Sequence, residues 1–168
     1  MTRIPAILVV LAACGNGGPK HWKDQPLVEI TGTAGGHAYS LQAPQGTEAS
    51  KVDPNDWSYK YEAGGEKYVT APSFSISWRE HKQTLDDALK DEKEPPLHKE
   101  ASADGWMFSQ ENPYEKGKDR YVVEVERYVG DGALFCQGQV WPMSRSKDDV
   151  KNQLLPLVEK MCASLKAK

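Results

Sequence analysis

Apolar and polar positions alternate in short runs along most of this chain, and a helical period appears only twice. Tyr39 and Leu41 alternate with Ala38, Ser40 and Gln42 before Pro44 and Gly46 turn the chain. Trp57, Tyr59 and Tyr61 alternate with Ser58, Lys60 and Glu62, and Gly64-Gly65 follows. Phe74, Ile76 and Trp78 alternate with Ser73, Ser75, Ser77 and Arg79. A period of two sends successive side chains to opposite faces, so these segments predict half-buried strands. His21–Gly36 is ambiguous: Leu27-Val28-Glu29-Ile30 suits a short strand, which the glycines from Gly32 to Gly36 would break.

Thr84 with Asp87 three residues on forms a capping box, and Leu85, Ala88 and Leu89 share one helical face that Pro95-Pro96 stops. Trp106-Met107-Phe108 predicts a further strand, and Asn112-Pro113 to Asp119 a charged loop. Arg120 to Trp141 is the best-specified unit, a hairpin in which Asp131-Gly132 fits a two-residue type I′ turn. That turn pairs Val129 with Leu134, Val125 with Gly138 and Val123 with Val140 on one face. Tyr128 with Phe135 and Val122 with Trp141 fall on the other. Arg127 then stands on the apolar face opposite Cys136, either snorkelling at the sheet edge or lining a pocket. The chain ends in a helix with Ser146 as N-cap and Asp148 and Asp149 in its first turn. Val150, Leu154, Leu157, Val158, Met161 and Leu165 form its apolar stripe, and Pro156 inside it predicts a kink. The order β-β-β-α-β-β-β-α gives an α+β fold, a mostly antiparallel sheet with helices packed on it.

Composition removes several function classes. The net charge of the 168 residues is −3, and basic residues are interspersed with acidic ones, which argues against a nucleic-acid surface. His21, His37, His81 and His98 have no ligand spacing, so neither a metal nor a cofactor is expected. No Gly-x-Ser-x-Gly elbow is present, and Asp86-Asp87, Asp91-Glu92 and Asp148-Asp149 read as solvated charge. No catalytic residues are assigned, and no enzyme is expected. The strand aromatics are the suggestive chemistry. Trp57, Trp78 and Trp141 are the candidate ligand-binding residues, because aromatic rings stack on sugars and anchor partners. Core packing is the competing role for each of them.

Residues 1–13 have one Arg3, then an apolar run ending at Leu11-Ala12-Ala13-Cys14. The run is far below the ~20 residues that span a bilayer and has the layout of a secretory signal. Leu11-Ala12-Ala13-Cys14 resembles the lipobox of bacterial lipoproteins. The resemblance implies removal of residues 1–13, lipidation of Cys14 by a diacylglycerol and often an N-acyl chain such as palmitate, and a durable membrane anchor. Gly15 in place of an Asp after the cysteine favours the outer membrane of the cell envelope. Residues 14–36 would then be lipidated cysteine and flexible tether, and 37–168 a single globular domain.

With Cys14 consumed by lipid, Cys136 and Cys162 remain as a pair in an oxidising compartment, where disulfides persist. Cys136 shares the apolar face of the hairpin, and Cys162 flanks the helical stripe, so a bridge would staple helix to sheet. The alternative is two buried free thiols.

The Ala-Pro turn after Tyr39 and the terminal Met161-Cys162-Ala163-Ser164-Leu165 are similar to PsbP-like α/β/α domains, over about Gly36 to Lys168. That resemblance implies a sandwich used by envelope binding modules and assembly factors, and it transfers no site residue. The combined expectation is an envelope lipoprotein that binds or scaffolds another envelope component, an envelope protein or a small ligand, without catalysis. The alternative is a periplasmic small-ligand or glycan binder using the strand aromatics.

Overall fold

The strongest alternations become the central strands of the computed structural model, which describes residues 22–59, 71–115, 118–142 and 146–168. After a short 3-10 turn at Trp22–Asp24 come β1 (Leu27–Ala34), β2 (His37–Pro44), β3 (Thr47–Ala49), β4 (Asp56–Tyr59) and β5 (Ser73–Arg79). Helix α1 (Leu85–Leu89) precedes β6 (His98–Ser102), β7 (Gly105–Glu115), β8 (Lys118–Val129) and β9 (Gly132–Val140). The chain closes with α2 (Lys147–Asp149), a π-helical turn (Val150–Leu154), α3 (Leu155–Ala163) and β10 (Lys166–Ala167). One sheet has seven strands in the order β3-β4-β5-β9-β8-β7-β6, and the other has three in the order β1-β2-β10. Every pairing is antiparallel, as the α+β reading expects.

The domain starts earlier than the sequence suggests. Trp22 is completely buried, and β1 pairs with β2 along its whole length, from Leu27↔Pro44 to Ala34↔His37. The expected tether 14–36 therefore gives up at least Trp22–Gly36 to the globular domain. Strands β3, β6 and β10 also lie outside the expected order. All five residues of β6 are exposed, so it carries no apolar signal. The expected charged loop after Asn112 is strand as far as Glu115, and β8 begins at Lys118.

The central hairpin keeps the expected faces but not the expected register. Val129 pairs with Gly132, Arg127 with Leu134, Val125 with Cys136 and Val123 with Gly138. The loop is Gly130-Asp131, and Gly130 takes the left-handed φ of +59° that the tight turn needs. Because the pairing slips by two, every side chain keeps its face while Arg127 moves from opposite Cys136 to opposite Leu134.

Both faces of the seven-stranded sheet are used. On one, Phe74, Ile76, Val123, Val125, Leu134 and Val140 pack with Tyr39 and Leu41 of β2 and with the C-terminal helices. On the other, α1 sets Leu85, Ala88 and Leu89 against Trp106, Phe108 and Phe135. Thr84 caps α1, accepting from the Asp87 N–H at 3.1 Å, and the helix ends at Leu89, short of Pro95-Pro96. Ser146 caps α2 through the Asp149 N–H at 3.1 Å. The kink expected at Pro156 is replaced by a wider turn. The helix passes through the π segment and restarts, so Pro156 lies in the first turn of α3, where its missing N–H is no loss. The offset brings Leu155 into the core and leaves Leu157 at its margin. Cys136 and Cys162 are disulfide-bonded, with a Cα–Cα distance of 5.8 Å, joining β9 to α3.

Candidate functional site

Alternation along β8 turns Val123, Val125 and Arg127 toward α3 and Glu124, Glu126 and Tyr128 to the opposite face. Arg127 interrupts that apolar face, opposite Leu134 and before Val129, at the level where α3 ends at Ala163. Arg127 Nη2 donates to the Ala163 carbonyl at 2.9 Å, satisfying one of the carbonyls a helix end leaves open. Arg127 also lines a cleft of about 260 Å³ with Glu100, Ser102, Asp104, Met107 and Ala163. This is the pocket-lining alternative raised for that residue.

The rim of the cleft is a tightly bonded hairpin between β6 and β7. Gly105 has φ +139°, and a Cβ there would sit 1.9 Å from the Glu126 carbonyl oxygen, so glycine is required. The Tyr128 N–H donates to the Asp104 carbonyl at 2.9 Å. Ser102 Oγ accepts from the Asp104 N–H and donates to the Gly105 carbonyl, each at 3.3 Å. Burial pulls the Arg127 pKa below its ordinary value, while the charges of Glu100 and Asp104 oppose that shift. Both carboxylates are exposed, and among the described residues none pairs directly with the Arg127 guanidinium. A guanidinium carries five N–H donors, and here a neutral carbonyl engages one of its nitrogens. The cleft thus offers a partly desolvated cation at its base and two carboxylates at its edge.

The opposite face carries a closed polar lock. Glu126, wholly buried, accepts from Arg79 Nη1 at 2.8 Å and from the Gln83 N–H at 2.7 Å. The Arg79 guanidinium lies 3.5 Å from the Phe135 ring centroid. Trp106 Nε1 and Tyr128 Oη both donate to the Gln83 carbonyl, at 2.8 and 2.9 Å. These groups hold α1 and its lead-in to the sheet and present no reactive atom. Further along that face Arg120 donates to Gln139 (2.8 Å), Gln139 to Gln137 (3.1 Å) and Gln137 to Glu124 (3.0 Å). Burial raises the Glu124 carboxyl above its ordinary pKa, and the Gln137 hydrogen bond works against it.

The three candidate tryptophans do not converge. Trp57 pairs with Phe74 and packs on the core, its indole N–H donating to Tyr39 Oη at 2.9 Å. Trp78 stacks on His37 with ring centroids 3.5 Å apart. Gly35 and Gly132 press against it so closely that a Cβ on either would come within 2.5 and 2.3 Å. Trp141, just past β9, has the Arg120 guanidinium 5.7 Å from its ring centroid, beside the outward glutamines. An aromatic platform built from Trp57, Trp78 and Trp141 is therefore not formed.

His98 Nδ1 lies 3.7 Å from a Glu159 carboxylate oxygen, and His21 falls outside the described residues. Among the described residues no group of three or more His, Cys, Asp or Glu is arranged to hold a metal. None of their helices is long and apolar enough to cross a membrane. Cys14, the expected lipidation site, also lies outside the described residues.

Sequence reasoning flagged Arg127 as an unexplained charge on an apolar face and missed Glu100 and Asp104, because β6 was not expected. The overlooked signal was Asp104-Gly105, an Asp-Gly pair directly before an apolar strand, which is a hairpin cue.

This architecture defines an α+β domain with the Arg127 cleft at the junction of helix end and sheet, alongside other clefts of about 290 and 240 Å³ among the described residues. No family model matches the chain, and no curated protein matches it. Solved structures do share its fold. The Ran-binding protein Mog1p of Saccharomyces cerevisiae superposes with a TM-score of 0.58 at 12% identity, covering 84% of this chain and 95% of that one. A point mutant of Mog1 gives the same score and identity, covering 84% and 96%. At that identity the likeness shows the fold alone.

Proposed function

We propose that this protein is a bacterial envelope lipoprotein, anchored through lipid on Cys14, whose domain binds another envelope component without catalysis. The lipobox-like Leu11-Ala12-Ala13-Cys14 supports the anchor, and Gly15 favours the outer membrane. The Cys136–Cys162 bridge is in keeping with an oxidising compartment. The binding role rests on one observation: a half-buried Arg127 lines a cleft with its hydrogen bond made to a neutral carbonyl. The small-ligand alternative rests on the same cleft, whereas the dispersed tryptophans remove the main support for a glycan platform. Kinship of fold with a Ran-binding protein carries no partner across at 12% identity.

In-cell crosslinking and pull-down of the full-length acylated chain, with Cys14→Ser as control, tests this reading. The wild type is expected in the membrane fraction, and the variant released with its domain still folded. A folded Cys14→Ser protein that stays with membranes overturns the anchor. One stoichiometric, anchor-dependent envelope protein supports a scaffold. No protein partner moves the reading to a small ligand in the Arg127 cleft.

A further inference from the structure

We infer that the Arg127 cleft takes a small amphoteric ligand, a free amino acid or a dipeptide, with its carboxylate on Arg127 and its ammonium between Glu100 and Asp104. This deepens the small-ligand alternative above and rests on it. The first argument is the state of the guanidinium. It is partly desolvated yet held by the Ala163 carbonyl, and no carboxylate of the described residues pairs directly with it. A ligand carboxylate on its remaining donors would make a charge-assisted, forked contact, the kind arginine forms best.

The second argument is the sign of the surroundings. Glu100 and Asp104 act on Arg127 through space, and the carbonyl end of α3 adds partial negative charge. A phosphate or other dianion would meet repulsion on two sides. A group with its own ammonium instead finds two partners at the rim. The third argument is size. About 260 Å³ lies below the roughly 300–1,000 Å³ of sites for drug-sized molecules, which leaves room for a metabolite of a few heavy atoms. The fourth is rigidity: Gly105, the Ser102 hydroxyl and the Tyr128–Asp104 hydrogen bond fix the rim, so little ordering is needed on binding.

The test is calorimetric titration of the full-length protein in detergent with L-alanine, L-alanyl-L-alanine, acetate, methylammonium and inorganic phosphate. At least one of the two zwitterions should bind saturably with Kd no weaker than about 1 mM, at least about tenfold tighter than acetate, methylammonium or phosphate. The tighter of the two identifies the source. The Glu100→Gln/Asp104→Asn double variant alters only exposed side chains. It should lose that zwitterion preference and keep or improve acetate binding. Arg127→Gln should abolish both, with the circular dichroism spectrum reporting that it folds. No saturable binding of either zwitterion, equal binding of acetate or phosphate, or an unchanged zwitterion affinity in the double variant overturns the inference. An envelope partner still captured in cells by that double variant would leave the binding-module reading in place while a blank titration removes this ligand class.

Discussion

Reduction of the Cys136–Cys162 bond removes one covalent constraint and leaves the folded packing almost untouched. Both residues are fully buried, and the bridge closes a loop with a sequence separation of 26. In the chain-entropy model a loop of that length contributes about 3.5 kcal/mol by restricting the unfolded ensemble. For a domain of this size each kcal/mol moves Tm by roughly 2–4 °C, so full reduction should lower Tm by about 7–14 °C. Val158, Met161 and Leu165 keep α3 on the sheet without the bridge. The low-temperature circular dichroism spectrum should therefore be the same in oxidised and reduced protein. The assay is thermal melting with and without reductant, with thiol counting to show that the bond has opened. A shift below about 2 °C with both thiols free would refute the entropic reasoning. Loss of helical signal before the melt would refute it differently, by showing that the bridge holds the native packing itself.

Two further outcomes follow from the opposite face of the sheet. Glu126→Ala leaves the Gln83 N–H without its acceptor and Arg79 without its carboxylate, holding its 2.8 Å bond to Gln83 Oε1, and breaking a buried pair typically costs about 3–5 kcal/mol. Arg79 is 31% exposed and can turn toward water, so the lower end is expected in urea unfolding, and a change under about 1 kcal/mol would sink this account. Glu124 has its pKa raised by burial, so the folded state binds its proton more readily than the unfolded chain. Stability from this group therefore falls as pH rises through the window above the ordinary glutamate value of 4.5. Glu124→Gln should match the wild type in acid and exceed it at pH 7 in paired melts. A variant less stable at pH 7 would reverse the sign.

Much of this fold is legible from local rules, and the failures have physical causes. The alternation in β5, the Thr84 and Ser146 caps and the stripe ending at Leu165 each need only neighbours in sequence. The hairpin faces were readable for the same reason. Its register was not, because Gly130 and Gly132 both flank Asp131, and only the folded turn shows which glycine takes positive φ. β6 and β10 have no apolar pattern, since they exist by pairing with β7 and β2. β1 reads as ambiguous in sequence because its glycines would break it, although Gly32 is the residue that leaves room for Tyr39, whose hydroxyl would lie 2.4 Å from a Cβ there. The site was half legible. Arg127 stood out as a charge where an apolar residue belongs. Of the carboxylates that define its surroundings, Glu100 arrives on a strand with no apolar pattern and Asp104 in the turn that follows it.

The last strand has a consequence for when this chain can fold. Lys166 and Ala167 pair with Ser40 and Tyr39, and the Lys168 N–H donates to the Ala38 carbonyl at 3.0 Å. The smaller sheet therefore joins the beginning of the domain to its final residues. The helix that seals the core and the second half of the disulfide also come from that end. During synthesis that sheet lacks its third strand until residues 166–168 have been made, and joining segments so distant in sequence is the kind of long-range pairing that slows folding.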